Sequence, residues 1–174
     1  MPTIRIALAA ALMGAAVPAA SQERLDDLEM THVAVTASNI DVAYAHLALA
    51  LSDNQAVRDF AETMIRDHTA VNEQIFALAK RLGVTAKDNE MSQKLLADAA
   101  RTKDELSRLR GAAFDRRYLQ NEQAYHRTVN GVVENSFIPN LQNPEVKQAF
   151  QAALRVFREH ERHAGLALQS VATR

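Results

Sequence analysis

The chain has 174 residues, of which 48% are hydrophobic, and this suits one domain with a substantial apolar core. It contains no Cys, which excludes disulfides and thiolate chemistry. Its net charge is close to zero and no basic block stands out, so composition gives no support for nucleic acid or an anionic membrane surface as a partner. The low counts of Gly (5) and Pro (4) predict few turns and long helices.

Residues 1–21 have the pattern of a cleaved secretory signal peptide. Arg5 supplies a short positive region, an Ala-rich apolar run follows, and small residues around Ala20 fit a cleavage site. The apolar run is too short to span ~30 Å of hydrocarbon. We therefore predict a periplasmic protein whose mature domain spans residues 22–174, with no membrane span after removal of the signal.

Two antiparallel helices are predicted first in the mature chain. Apolar residues recur at spacings of three and four from about residue 24 to residue 51, and again from about residue 54 to residue 82. Asp53 or Asn54 is a candidate N-cap of the second helix, and Gly83 is suited to its C-terminal end. A turn as short as 52–54 makes the two helices antiparallel neighbours.

A charged, weakly amphipathic helix over 90–110 is predicted to cross one end of the molecule. Two further long helices follow, over 112–137 and 144–172, and Gly131 is expected to let the first of them bend. The predicted fold is thus all-α: a ferritin-like or up-down antiparallel four-helix bundle, with a helical crossover between the second and third long helices.

Three histidines lie on or beside the inward faces of three different helices: His68, His126 and His160. Imidazole is a ligand for zinc, copper, iron and nickel, so a shared metal site is one interpretation. The carboxylates that are candidates to join or support it are Asp41, Asp67, Asp115 and Glu122. Asp41 is expected at the edge of the core, and Met64, one turn before His68, is a candidate copper ligand.

The alternative is that these histidines only fix packing, each hydrogen-bonded to its own carboxylate or hydroxyl. The Glu-x-x-His motif of di-iron bundles is missing before all three histidines, so iron oxidation of the ferritin kind is not expected. His163 lies in a charged run and is interpreted as solvated. No phosphate-binding loop and no Gly-x-Ser-x-Gly elbow occurs, so nucleophilic hydrolysis has no support.

Several of these residues together resemble the bacterial domain-of-unknown-function 4142 family, which is often labelled an outer-membrane protein. The resemblance covers nearly the whole mature chain and is carried by Val57, Phe60, Ala61, Met64, Asp67, His68, Gly111, Phe114, Asp115, Tyr118, His126, Glu159 and His160. It implies a secreted, ferritin-like four-helix bundle and no established reaction. The family's acidic residue on the first helix is here Asp41 instead of Glu, and Arg155 replaces its usual Pro.

The leading hypothesis is a periplasmic bundle that binds a transition metal, namely zinc, copper or iron, or that serves in metal or envelope stress. The alternative is a non-enzymatic structural or interaction protein. A redox enzyme is the third and weakest interpretation, and no catalytic residue is assigned. The sequence leaves homo-oligomer formation open.

Overall fold

The computed structural model describes residues 24–172, and within them the chain is helical with no strand. The predicted signal peptide lies outside the described residues. The helices are α1 (Asp27–Leu51), α2 (Gln55–Leu82), α3 (Glu90–Ser107), α4 (Gly111–Val132), α5 (Ile138–Asn140) and α6 (Pro144–Ala172). A π-helical segment, Val133–Phe137, joins α4 to α5. The all-α prediction is confirmed.

Side-chain caps set the beginnings of the first three helices. Asp26 forms a capping box with Glu29, so α1 begins at Asp27, three residues later than predicted. Asn54 caps α2, as expected, and Asn89 caps α3. Gly83 ends α2 in the left-handed conformation, with a φ of 67°, which confirms its predicted role.

The directions of α1 and α4 follow from which residues meet. In the first half of α1, Ala37 accepts a hydrogen bond from Tyr125, in the second half of α4. Just after α1, Ser52 bonds to Asp115, near the start of α4. The two helices are therefore antiparallel. Because the short turn also makes α2 antiparallel to α1, α2 and α4 run in the same direction.

Helix α6 runs antiparallel to α2. The ring of His163, late in α6, meets Phe60, which is early in α2. At the opposite end, Arg81 pairs with Glu145. The chain must return along the molecule between the parallel helices α2 and α4, and α3, which packs against α1, provides this return. Contacts of His32 with Ser92 and of Tyr44 with Ala99 place α3 alongside α1, and not across one end of the molecule as the sequence predicted.

Helix α1 is the one described helix that is long and apolar enough to cross a membrane by length and composition. Half of its most apolar window is buried inside the protein. A core helix passes the same test, so this finding is weak evidence for a membrane span.

Two apolar cores are separated by a layer of buried polar side chains. One core is built around Phe60, Phe114 and Tyr118. The other contains Phe137 and Phe150. Between them, each of the four long helices contributes polar groups that are at most 3% exposed, and these are Ser38, Asp41, His68, Glu122, His126 and His160. Buried polar groups require partners, so this layer is the leading candidate for a functional site.

The end of α4 differs from the prediction. One α-helix was expected up to Phe137, with a bend allowed by Gly131. Instead the helix widens into the π-helical segment at Val133. A single inserted turn of this kind bends a helix without needing glycine, and such turns are frequent at functional sites.

Candidate metal centre

Three imidazoles from three helices meet in the polar layer. The ring centroids of His68 and His126 lie 5.6 Å apart, those of His68 and His160 5.2 Å, and those of His126 and His160 5.4 Å. All three side chains are buried, with 2–3% exposed. The three histidines therefore lie at one level of the molecule, as a shared site requires.

Each imidazole is held through one of its two ring nitrogens. His68 Nδ1 lies 3.0 Å from the hydroxyl of Ser38. His126 Nδ1 lies 3.0 Å from the backbone carbonyl of Glu122. His160 Nε2 lies 3.0 Å from a carboxylate oxygen of Asp67. A carbonyl and a carboxylate only accept, so His126 and His160 donate these bonds, which fixes their tautomers.

The opposite nitrogen of each ring has no hydrogen-bond partner among the described residues. These atoms are His68 Nε2, His126 Nε2 and His160 Nδ1. In His126 and His160 the fixed tautomer leaves a lone pair on this nitrogen. In His68 the same holds when Nδ1 donates to Ser38, whose hydroxyl is then free to donate to the His68 carbonyl 3.4 Å away. When one nitrogen is taken from each ring, the three atoms lie within 4.8 Å of one another.

Asp41 is the carboxylate that faces two of these free nitrogens. Its Oδ2 lies 3.3 Å from His126 Nε2 and 3.5 Å from His68 Nε2, and the side chain is fully buried. A carboxylate oxygen and two nitrogen lone pairs repel one another unless a proton or a cation lies between them. Asp41 was expected at the edge of the core, and its place at the centre corrects that expectation.

Glu122 adds a second buried carboxyl group beside Asp41. Asp41, Glu122 and His126 offer ligand atoms within 4.8 Å of one another. Burial raises the pKa of Glu122 well above its usual range, and the nearby Asp41 raises it further. Burial raises the pKa of Asp41 to about 6, although His126 opposes this. The pair therefore keeps at least one proton at a pH where exposed carboxyl groups have already ionised.

The histidines show the opposite change. Burial lowers the pKa of His68 well below its usual range, and His126 and His160 lower it further. Burial also lowers the pKa values of His126 and His160, against the opposing effects of Asp41 and Asp67 respectively. Neutral imidazole is the form that binds a metal ion, so all three rings are in the binding form at neutral pH.

The profile of the family described as Domain of unknown function (DUF4142) matches residues 12–166. The chain belongs to this DUF4142 family. No curated protein and no solved structure matches the chain. The resemblance noted from the sequence is thus confirmed, and the family carries no assigned reaction.

The seven residues singled out in this DUF4142 chain as metal ligands or their supports divide into three sets. His68, His126, His160, Asp41 and Glu122 are brought together in the two groups of ligand atoms. Asp67 accepts a hydrogen bond from His160 and is also paired with Arg66, as expected of a carboxylate that orients a metal-binding histidine.

Asp115 lies apart from the histidines of the DUF4142 chain. It accepts a hydrogen bond from Ser52 at the end of α1. Asp115 is seven residues before Glu122 on α4, which places it about 10 Å away along the helix axis. The inclusion of Asp115 among the candidate ligands is therefore not supported by its position, which is that of a residue joining two helix ends.

Two neighbours of the site were missed from the sequence. Ser38 holds His68 and lies three residues before Asp41, so the shared helical face was the available signal. Phe157 stacks on His68 with a centroid distance of 4.5 Å, and its place on the apolar stripe of α6 gave no hint of that contact. His163, expected to be solvated, is half-buried with its ring edge against Phe60.

Proposed function

We propose that this DUF4142 protein is a periplasmic, ferritin-like four-helix bundle that binds one transition-metal ion through His68, His126 and His160. The observation that carries the proposal is the arrangement of the three rings. Each has one nitrogen held by an outer partner and the other without a partner, and the three buried rings offer ligand atoms within 4.8 Å of one another. Metal-binding histidines are characteristically held in this way through their second nitrogen.

Asp41 is the fourth ligand in this proposal. Its Oδ2 faces two of the three free nitrogens, and an ion placed among them would remove the repulsion between lone pairs. Three imidazoles and one carboxylate suit zinc, copper or iron. The group of three histidines and the group of Asp41, Glu122 and His126 share His126, which has one free nitrogen. The two groups therefore belong to the same ion, and Glu122 lies beside this ion as a carboxylic acid.

The ferritin-like assignment rests on chain direction. Helices α2 and α4 run the same way, α1 and α6 run against them, and α3 is the crossover between the parallel pair. A bundle with one long crossover is the ferritin-like topology. Because the di-iron Glu-x-x-His motif is missing, the proposal assigns metal binding, in metal or envelope stress, and no reaction.

Periplasmic location rests on the apolar stretch within residues 1–21. Mature protein is then expected to begin near Ala20, Ser21 or Gln22 and to have no membrane span. Intact-mass measurement on a periplasmic extract tests this. A full-length chain in the membrane fraction would contradict it.

The metal proposal is tested with protein purified without an affinity tag and stripped with a chelator. Calorimetric titration with zinc, copper(II) and iron(II) should give one ion per chain for at least one metal. His68→Ala, His126→Ala and His160→Ala should each weaken binding by at least tenfold. The matched control is His46→Ala, which removes an exposed histidine of α1 and should leave affinity unchanged.

The alternative is a structural protein in which a proton replaces the ion. Asp41, whose pKa is raised to about 6, would then donate a hydrogen bond to His126 Nε2. In that case no metal binds with one-to-one stoichiometry, and the three Ala variants lose stability by separate, nearly additive amounts. Ligands of one ion are instead expected to be strongly non-additive in metal affinity.

A further inference from the structure

An apolar cavity adjoins the candidate metal centre. It has a volume of about 40 Å³ and lies among α1, α2, α4 and α6. Most of its wall is aliphatic or aromatic, including Val71, Ile75, Val129, Phe150 and Leu154. At one end the wall changes character, because Asp41, His68 and His126 line it there.

The size and lining of the cavity restrict what can occupy it. A water molecule needs roughly 10–15 Å³ of such space and two or more polar partners, so the volume exceeds the need of one water. The wall also contains Ser38, Asn72 and Tyr125, whose polar groups are hydrogen-bonded to other residues. The buried polar atoms of the wall that lack a partner belong to Asp41, His68 and His126. A charged ligand would lose its hydration against the apolar wall, at a large cost in free energy. A neutral molecule of two or three heavy atoms fits both the volume and the lining.

Two of the three histidines of the candidate metal centre, His68 and His126, line the cavity. His68 Nε2 and His126 Nε2 are the unpaired atoms of two residues in its wall. Phe157 lies in the same wall and covers one face of His68. Val133, the first residue of the π-helical segment, also lines the cavity, so the irregular turn of α4 helps to form it. Ala153 lines it too and is partly exposed, which places this part of the wall near solvent.

We propose that this cavity binds a small, uncharged molecule of two or three heavy atoms and presents it to the ion held by His68, His126, His160 and Asp41. The presence of the ion rests on the proposed function; the cavity as a binding site does not. The apolar body of the molecule lies among the aliphatic side chains, and its end faces the metal.

Xenon is the probe, because it is uncharged, compact and visible by anomalous scattering. Crystals of the metal-free wild-type protein under xenon gas should show a peak between His126 and Leu154. Ala153→Val adds two carbon atoms to the cavity wall and should abolish the peak. Ala152→Val is the matched control, since Ala152 is the neighbouring residue on α6 and is outside the wall. Val71→Ile is a second filling variant should Ala153→Val fail to fold.

Loss of the peak in the filling variants and its retention in Ala152→Val supports the proposal. No xenon in the wild type, or ordered water throughout the apolar part, overturns it. Zinc titration of the same proteins separates the two claims, because Ala153→Val should keep zinc affinity within twofold. Xenon binding in a wild type that binds no metal would support the cavity as a ligand site and overturn its link to an ion.

Discussion

At the scale of single residues, the electrostatic repulsion within the polar layer is centred on Asp41. It is fully buried, and its Oδ2 faces the unpaired nitrogens of His68 and His126. In the metal-free protein, burial raises its pKa from 3.8 to about 6. The folded state then binds a proton that the unfolded state has lost, so the stabilisation from this proton is present below about pH 4 and is lost as pH rises through about 6.

Asp41→Asn should remove this loss, because an amide stays neutral and can still donate to His126. In the presence of a chelator, the stability of the variant relative to wild type should increase by ~2–3 kcal/mol between pH 4 and pH 7. Urea unfolding at several pH values measures this. Asp41 also raises the pKa values of His126 and Glu122, so the changed titration of these two groups forms part of the measured difference. A difference that does not change with pH would contradict the assignment of a protonated, buried Asp41.

Two aspartates that the sequence placed together are separated by the structure, and they make a matched pair. Asp67 holds His160, whereas Asp115 holds Ser52 at a helix end. Asp67→Asn should weaken metal binding about 10- to 100-fold, which is typical for loss of an outer partner of a ligand. Asp115→Asn should leave metal affinity within twofold while lowering stability. Equal effects of the two changes on affinity would count against the site as described.

At the scale of helices, two glycines are expected to respond in opposite ways to the same substitution. Gly83 ends α2 with a positive φ of 67°, and Gly131 lies within α4. A Cβ atom at either position meets nothing within 4 Å, so only the backbone decides. Gly83→Ala should destabilise by ~1–2 kcal/mol, and Gly131→Ala should stabilise by roughly 0.5–1 kcal/mol. Thermal and urea unfolding of both variants measure these changes.

The long helices are the part of the fold that the sequence predicted best, and the reason is physical. Spacings of three and four, with caps such as Asn54 and Gly83, are local signals, and the long helices follow them. The π-helical segment was missed because nothing in Val133–Phe137 distinguishes it from an α-helical pattern. Its form depends on packing against the rest of the protein.

The sequence predicted only those site residues whose position on a single helix shows that they face inward. The inward faces of three helices carry His68, His126 and His160. Their contact could be predicted, provided that the three residues lie at the same height along the helices. Which carboxylate joins them could not be predicted, because the rotation of α1 about its axis decides whether Asp41 lies at the edge or the centre. The choice between Asp67 and Asp115 depended likewise on contacts between helices, which no single helix specifies.

At the scale of the whole molecule, the two apolar cores should fold the protein without metal. They lie on either side of the polar layer and contain large buried side chains such as Phe60, Phe114, Tyr118, Phe137 and Phe150. Far-ultraviolet circular dichroism of chelator-treated protein should therefore show a mostly helical chain. Added metal should raise the melting temperature in proportion to the logarithm of its concentration. A chain that is unfolded until metal is added would contradict this division of roles.

The central claim is that one ion lies among three named nitrogen atoms. Anomalous diffraction from crystals grown with zinc, recorded on both sides of the zinc absorption edge, tests it most directly. The account predicts one peak per chain in the polar layer, at ~2.0–2.1 Å from His68 Nε2, His126 Nε2 and His160 Nδ1, with Asp41 as the fourth ligand. A polar layer without a peak in protein saturated with zinc, or a peak bound by Nδ1 of His68 or His126, would contradict it.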